Sequence, residues 1–116
     1  MQCINRLTLL GNVGKVTELD KLLKVSVATE RNWTDEKGKR QKRTDWVTVT
    51  ILNGKRADWI RNNVNVGDSV YVEGRVGNSS YEKDGKTVYT TDVIAAIFTR
   101  VHPRSEAKEN SDDSEE

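Results

Sequence analysis

Three aromatic residues in cation-rich surroundings are the side chains of this 116-residue chain best suited to bind a ligand. Trp33 lies in a stretch, residues 31–43, that holds six basic and two acidic residues. Trp46 follows that stretch, and Tyr81 lies near lysines in a second polar segment. Bases of single-stranded nucleic acid stack on exposed rings while Lys and Arg contact the phosphates. The pattern indicates such a surface, and rings folded back onto the domain or held in a subunit contact are the alternative.

The position of Trp46 follows from the alternation of residues 44–52, which is typical of a half-buried strand. The apolar side chains of this segment share one face: Val47, Val49 and Ile51. Alternation therefore places Trp46 on the opposite face, with Thr48 and Thr50. A large apolar ring on the polar face indicates a ligand or a packing partner. Trp59 differs, because it lies in a helical pattern near Ile60 and is predicted to pack in the core or against the helix.

Residues for catalysis or for holding a cofactor or metal are scarce. The one histidine, His102, precedes Pro103 at the edge of a polar tail, and the one cysteine, Cys3, is predicted to be a small, partly buried residue near the N-terminus. One Cys and one His cannot build a Cys/His zinc site. Residues 11–14 lack the ending of a phosphate-binding loop and read as a tight turn. We therefore predict no enzyme, no cofactor and no metal.

The formal charge of +1 is divided unevenly along the chain. Residues 1–103 hold 17 basic and 12 acidic residues, whereas residues 104–116 hold two basic and six acidic ones. Residues 104–116 contain one alanine as their only apolar residue, and such a segment cannot offset its ordering entropy. We predict one domain over residues 1–103 and a disordered acidic tail over residues 104–116.

Strand and helix patterns predict the architecture of that domain. Five segments are rich in β-prone residues or alternate with period two: 4–10, 22–29, 44–52, 69–76 and 88–101. A short helix is predicted over residues 55–64, and the last strand is expected to bulge near Ala95 and Ala96. Three strands, a helix and two strands favour an all-β fold, the five-stranded Greek-key barrel called the OB-fold, with one short helix between strands 3 and 4.

Over residues 4–99 the chain resembles the bacterial-type single-stranded DNA-binding proteins. The shared motifs occur in the family's order and spacing: LGNVG at 10–14, VSVAT at 25–29, WTDEKG at 33–38, TDW at 44–46, VYVEG at 70–74 and YTTDV at 89–93. The resemblance implies that Trp33 and Trp46 stack on bases and that Tyr81 takes a third aromatic position. A fourth family aromatic is Leu52 here, which implies weaker or rearranged stacking.

Phosphate contacts are expected mainly from the basic stretch and from cations near the other motifs. The candidates are Arg6, Arg31, Lys37, Lys39, Arg40, Lys42, Arg43, Lys55, Arg75, Lys83 and Lys86.

The resemblance also implies partners. The family usually forms homotetramers, and an acidic tail tip closed by Pro-Phe recruits replication and repair proteins. The corresponding acids here are Asp112, Asp113, Glu115 and Glu116, without the Pro-Phe pair, so the resemblance does not extend to the recruiting tip. The implied location is the cytoplasm of a bacterium or a phage-infected cell, with the mitochondrial matrix as the alternative, and no membrane partner is expected.

These observations favour a non-enzymatic protein that coats single-stranded DNA with little sequence preference during replication, recombination and repair. One alternative is an accessory or interaction module of the same fold that binds RNA or replication proteins. An oligosaccharide-binding OB-fold is a further alternative, and it leaves the basic stretch unexplained.

Overall fold

The computed structural model describes residues 1–103, and its secondary structure is mostly strand. The elements in chain order are β1 (Leu7–Leu19), β2 (Leu22–Thr34), β3 (Arg40–Leu52), α1 (Lys55–Asn63), β4 (Ser69–Lys83) and β5 (Lys86–His102). The strands close into a barrel in the order β1–β2–β3–β5–β4, with β4 returning to β1. Neighbouring strands are antiparallel except β3 and β5, which are parallel. The predicted five-stranded OB-fold with a helix between strands 3 and 4 is confirmed.

The barrel core consists of the apolar residues that alternate along the strands. The fully covered side chains include Val25, Val27, Val49, Ile51, Val70 and Val72. Helix α1 adds Ala57 and Ile60 to the same cluster. Successive strand residues point to opposite faces, so this inner set leaves a second, outward set on every strand. The outward set carries the polar and aromatic side chains discussed below.

The first strand is longer than its sequence pattern predicts. Gly11 and Asn12 do not end it, because Gly11 pairs with Val70 of β4 and Asn12 with Ala28 of β2. The pairing register shifts between Val13 and Lys15, and the strand then continues to Leu19. The predicted tight turn over residues 11–14 is therefore wrong. A β-bulge accommodates the irregular spacing without breaking the ladder.

Two polar segments that lie between the predicted strands are hairpin arms. Most of the basic stretch, residues 31–43, belongs to β2 and β3, whose pairing reaches Thr34 and Arg40. Likewise β4 extends to Lys83, opposite Lys86. The backbone ladder continues past the barrel, where neither side of the hairpin has a core to cover. Apolar alternation disappears there, so the sequence pattern does not mark these strand ends.

The bulge predicted near Ala95 and Ala96 is confirmed. Glu73 pairs with Ile97 but the next residue, Gly74, pairs with Ala95, which leaves Ala96 as the extra residue. A Cβ on Gly74 would lie 2.2 Å from the carbonyl oxygen of Ile94, so the close approach of the two backbones at the bulge requires glycine. Beyond it β4 leaves the barrel, and Val76, predicted on the core face, is 38% exposed.

Candidate nucleic-acid interface

Trp46 lies on the outer surface of the barrel, as the alternation of β3 predicts, and it is 62% exposed. A Cβ on Gly14 would lie 2.2 Å from Cζ3 of the indole and 2.7 Å from Cη2. The ring therefore packs on the backbone at the β1 bulge, next to Ser26. Its cross-strand neighbour is the small Ala28. These contacts position the ring while leaving most of its surface open to a ligand.

Tyr81 lies on the same side of the sheet as Trp46. Thr50, four residues after Trp46, pairs with Ile94 of β5, and Ile94 pairs with Arg75 of β4. Alternation along β4 then places Tyr81 on the surface that carries Arg75. Tyr81 is 52% exposed. We refer to this outward side of the sheet, from Trp46 through the buried Thr50 and then Ile94 to Arg75 and Tyr81, as the Trp46 face.

Trp33 lies on the reverse side of the β2–β3 arm. Ala28 pairs with Trp46, so the even-numbered residues of β2 share the Trp46 face, and Trp33 pairs with Gln41 on the other side. The Arg31 guanidinium carbon is 5.5 Å from the centroid of the Trp33 ring, a cation–π contact. The structure thus brings Trp46 and Tyr81 to one surface and places Trp33 behind it, still 43% exposed.

The cations of the basic stretch divide into paired and unpaired groups. Asp45 contacts Arg31 at 3.1 Å and Arg43 at 4.0 Å, and Glu30 contacts Lys42 at 3.4 Å. All five side chains are about half exposed, so these ion pairs are weak and screened. Within residues 1–103, three cations of the stretch make no ion pair: Lys37, Lys39 and Arg40.

The remaining candidate cations fall into separate places. Lys83 and Lys86 face each other across the two-residue turn of the β4–β5 arm, on the side that carries Tyr81. Arg75 lies at the base of that arm, and it lines a cleft of about 330 Å³ together with Arg6. Lys55 begins α1, outside the strands that form the Trp46 face.

The tip of the β2–β3 arm is organised by Asp35. Its Oδ1 accepts hydrogen bonds from the backbone N–H groups of Lys37 (3.0 Å) and Lys39 (2.8 Å). Its Oδ2 accepts one from Nε2 of Gln41 at 3.0 Å. The Gln41 bond, followed by the two backbone bonds, lowers the pKa of Asp35 below its usual value. The carboxylate therefore fixes the turn that carries the unpaired lysines.

The turn held by Asp35 should be sensitive to acid and to loss of the carboxylate. Because the folded-state pKa is depressed, its stabilisation is complete at neutral pH and disappears as the pH falls through that lowered value. We expect Asp35→Ala to raise hydrogen exchange of the Lys37 and Lys39 amides severalfold at neutral pH. Glu36→Ala is the control, since Glu36 makes no hydrogen bond within residues 1–103. Equal exchange in both variants would show that Asp35 does not hold the turn.

The sequence analysis did not predict a polar cluster that lies at the centre of the Trp46 face. Lys24 Nζ lies 2.8 Å from Asp92 Oδ2, and the Thr50 hydroxyl donates to the same oxygen at 3.2 Å. The cluster borders a groove of about 200 Å³ next to Leu52 and Arg75. Period-two patterning places Lys24 and Thr50 on outward faces, but the strand pairing that brings Asp92 to them is not visible in sequence.

Two further sequence predictions need correction. Of the two placements predicted for Trp59, the core is wrong: the side chain is 41% exposed, and the Arg100 guanidinium carbon lies 5.9 Å from the ring centroid. Cys3 is exposed rather than partly buried. The candidate tail residues lie outside the described part of the chain: Asp112, Asp113, Glu115 and Glu116.

Within the described residues, no group of three or more His, Cys, Asp or Glu side chains is arranged to hold a metal ion. Nor does any helix in residues 1–103 have the length and apolar character needed to cross a membrane.

The chain is similar in sequence to curated proteins and in fold to solved structures. A single-stranded DNA-binding protein of Neisseria meningitidis is 30% identical over 110 residues, which cover 89% of this chain and 63% of the relative. The chain thus spans less than two-thirds of the length of the curated relatives it matches.

Two solved structures have folds similar to that of this chain. One is a Plasmodium falciparum SSB in complex with ssDNA (22% identity, TM-score 0.75, covering 87% of this chain and 97% of that one). The other is a deletion mutant of the single-stranded DNA-binding protein of Thermus aquaticus (23% identity, TM-score 0.71, covering 88% and 52%). At these identities the likeness shows the fold. The model of the single-strand binding protein family matches residues 4–101, nearly all of the described barrel, and the chain therefore belongs to that family.

Proposed function

We propose that this protein binds and coats single-stranded DNA with little sequence preference. The observation that carries the proposal is the Trp46 face, on which two exposed aromatic rings and Arg75 lie on the same side of the sheet. The name of the Neisseria meningitidis relative points to the same ligand. Every base has a π-face, so stacking on Trp46 and Tyr81 holds a strand without reading its sequence.

The position of Trp33 favours a strand that wraps around the β2–β3 arm. A base stacked on Trp33 lies behind the arm, whereas one on Trp46 lies in front of it. Lys37, Lys39 and Arg40 lie at or beside the tip that joins the two sides, so they can contact phosphates where the strand passes over. Arg31 and Arg43 exchange their contacts with Asp45 for phosphate contacts at small cost, because exposed ion pairs contribute little.

The proposed role is protective rather than catalytic. A coat that stacks single bases competes with hairpin formation and keeps the strand accessible during replication, recombination and repair. Such a role fits the cytoplasm of a bacterium or a phage-infected cell, or a mitochondrial matrix. Recruitment of other proteins through the acids of the tail is proposed only as a secondary role.

We also propose that the protein assembles as a homotetramer. Support comes from the outer surface of β1, β4 and β5, where Leu10 pairs with Tyr71 and Glu73 with Ile97. Leu10 and Ile97 are 61% and 43% exposed, and the Tyr71 hydroxyl donates to Glu73 between them. A patch of apolar side chains around one satisfied polar pair suits contact with a second copy. A solution mass equal to that of the monomer would contradict this assembly.

The proposed ligand is tested by competition. The protein is titrated with fluorescent oligo-dT and then challenged with unlabelled oligo-dT, oligo-rU and duplex DNA of equal length. We expect oligo-dT to displace the probe most effectively, with duplex DNA the weakest, because paired bases cannot stack on Trp46 or Tyr81. Stronger competition by oligo-rU would indicate an RNA-binding module, and no binding of oligo-dT would refute the proposal.

A further inference from the structure

The groove on the Trp46 face has an apolar floor suited to a flat ring. Leu22, Leu52 and Ile94 line it, and Leu52 is 60% exposed. Its volume of about 200 Å³ is below the roughly 300–1,000 Å³ of pockets for drug-sized ligands. The groove therefore has room for one base but not for several stacked ones. It lies on the surface on which the strand is proposed to bind.

One wall of the groove presents a carboxylate oxygen without a partner. Asp92 Oδ2 is occupied by Lys24 and Thr50, but no hydrogen bond within residues 1–103 reaches Oδ1. The Asp92 side chain is 15% exposed, and no fully buried side-chain polar atom within the described residues lacks a partner, so Oδ1 is open to solvent. An ionised carboxylate can only accept hydrogen bonds, so Oδ1 can exchange its water for a donor that a ligand supplies.

Arg75 supplies a positive charge at the same groove. Its Nη1 lies 3.5 Å from the position that a Cβ on Gly77 would occupy, which places the guanidinium over the base of the β4–β5 arm. Arg75 makes no ion pair within residues 1–103. Its guanidinium is therefore available to a phosphate next to a base held in the groove. The apolar floor suits the flat face of a base, the Asp92 carboxylate suits a donor on its edge, and the Arg75 guanidinium suits the phosphate of the same nucleotide.

We propose that this groove holds one base of the bound strand and that Asp92 makes it favour cytosine over uracil or thymine. The inference rests on the proposed function and adds a base preference at one position. Cytosine presents its N4 amine as a donor, and aspartate is a suitable acceptor for it. Uracil and thymine carry the O4 acceptor at that position, which would face the Asp92 carboxylate.

The test compares oligo-dC with oligo-dU in the unaltered protein and in Asp92→Asn. The two bases differ in the N4 amine, which is O4 in uracil, and at N3, which is an acceptor in cytosine and an N–H donor in uracil. In the Asp92→Asn variant the asparagine oxygen still accepts from Lys24 and Thr50, while its amide nitrogen offers a donor to O4. We expect the ratio of the oligo-dU to the oligo-dC dissociation constant to fall by at least about fivefold. The ratio should be unchanged in Asp84→Asn, which removes an equal charge from the tip of the same arm.

A ratio that Asp92→Asn leaves unchanged, or that Asp84→Asn lowers equally, would overturn the base preference. Failure of the unaltered protein to bind either oligomer would instead refute the proposed function on which it rests. NMR of the unaltered protein gives a readout that needs no variant. The Gly77 and Ser79 amides should shift differently with oligo-dC and oligo-dU, whereas the amide of Trp59, on α1 and away from the Trp46 face, should shift with neither. Indistinguishable shifts at Gly77 and Ser79 would also contradict the proposal.

Discussion

Replacing Trp46 by alanine should weaken binding of oligo-dT by about 5- to 150-fold, the loss expected for one stacked base. The ring is 62% exposed and lies outside the core, so the variant should fold. Trp46→Phe should keep part of the affinity, because phenylalanine offers a smaller ring to the same base. Fluorescence anisotropy of labelled oligo-dT measures the dissociation constants of the unaltered protein, Trp46→Ala and Trp46→Phe.

Trp59 provides a matched control for that substitution. It is a second exposed tryptophan, but it lies on α1 and stacks with Arg100 rather than on the Trp46 face. Trp59→Ala should bind oligo-dT within about twofold of the parent. If Trp46→Ala bound as tightly as Trp59→Ala, stacking at Trp46 would play no part in the affinity.

The second large effect is the dependence of affinity on salt. If about five phosphates are neutralised, the logarithm of affinity should fall with a slope near −3.5 against the logarithm of salt concentration, because each phosphate on a single strand contributes about 0.7. Raising salt from roughly 50 to 200 mM would then weaken binding about 100-fold. Isothermal titrations at four or five salt concentrations give the slope.

The unpaired lysines at the tip of the β2–β3 arm should account for part of that slope. Lys37→Gln combined with Lys39→Gln should reduce its magnitude by about 1.4, two phosphates at the single-strand value. The turn should persist, since Asp35 accepts hydrogen bonds from the backbone of these residues and not from their side chains. Arg56→Gln, on the helix, should leave the slope unchanged. An unaltered slope in the double variant would place the phosphate contacts elsewhere.

The period-two pattern was sufficient to predict the barrel core and the orientation of one key residue. Val47, Val49 and Ile51 alternate against Trp46, and burial in a closed barrel requires that register, so the exposed ring could be inferred. The β5 bulge was also predictable, because alternation fails near Ala95.

The hairpin arms and the groove were beyond the reach of local patterns. The basic stretch has no apolar face, because the arm there extends past the core. Its charged composition is therefore typical of a solvated loop. Lys24, Thr50 and Asp92 come from three strands: the β2–β3 register pairs Lys24 with Thr50, and the parallel pairing of β3 with β5 brings Asp92 beside them. The separation of Trp33 from Trp46 onto opposite sides of the arm depends on the β2–β3 register, which sequence alone does not supply.

The most direct test of the proposed binding surface uses Trp46 as its own reporter. The double variant Trp33→Phe and Trp59→Phe leaves Trp46 as the single tryptophan, and its fluorescence is followed during titration with oligo-dT. Stacking of a base on the ring predicts quenching that saturates in step with binding measured by anisotropy. Saturated binding with unchanged Trp46 fluorescence would show that the strand lies elsewhere on the barrel.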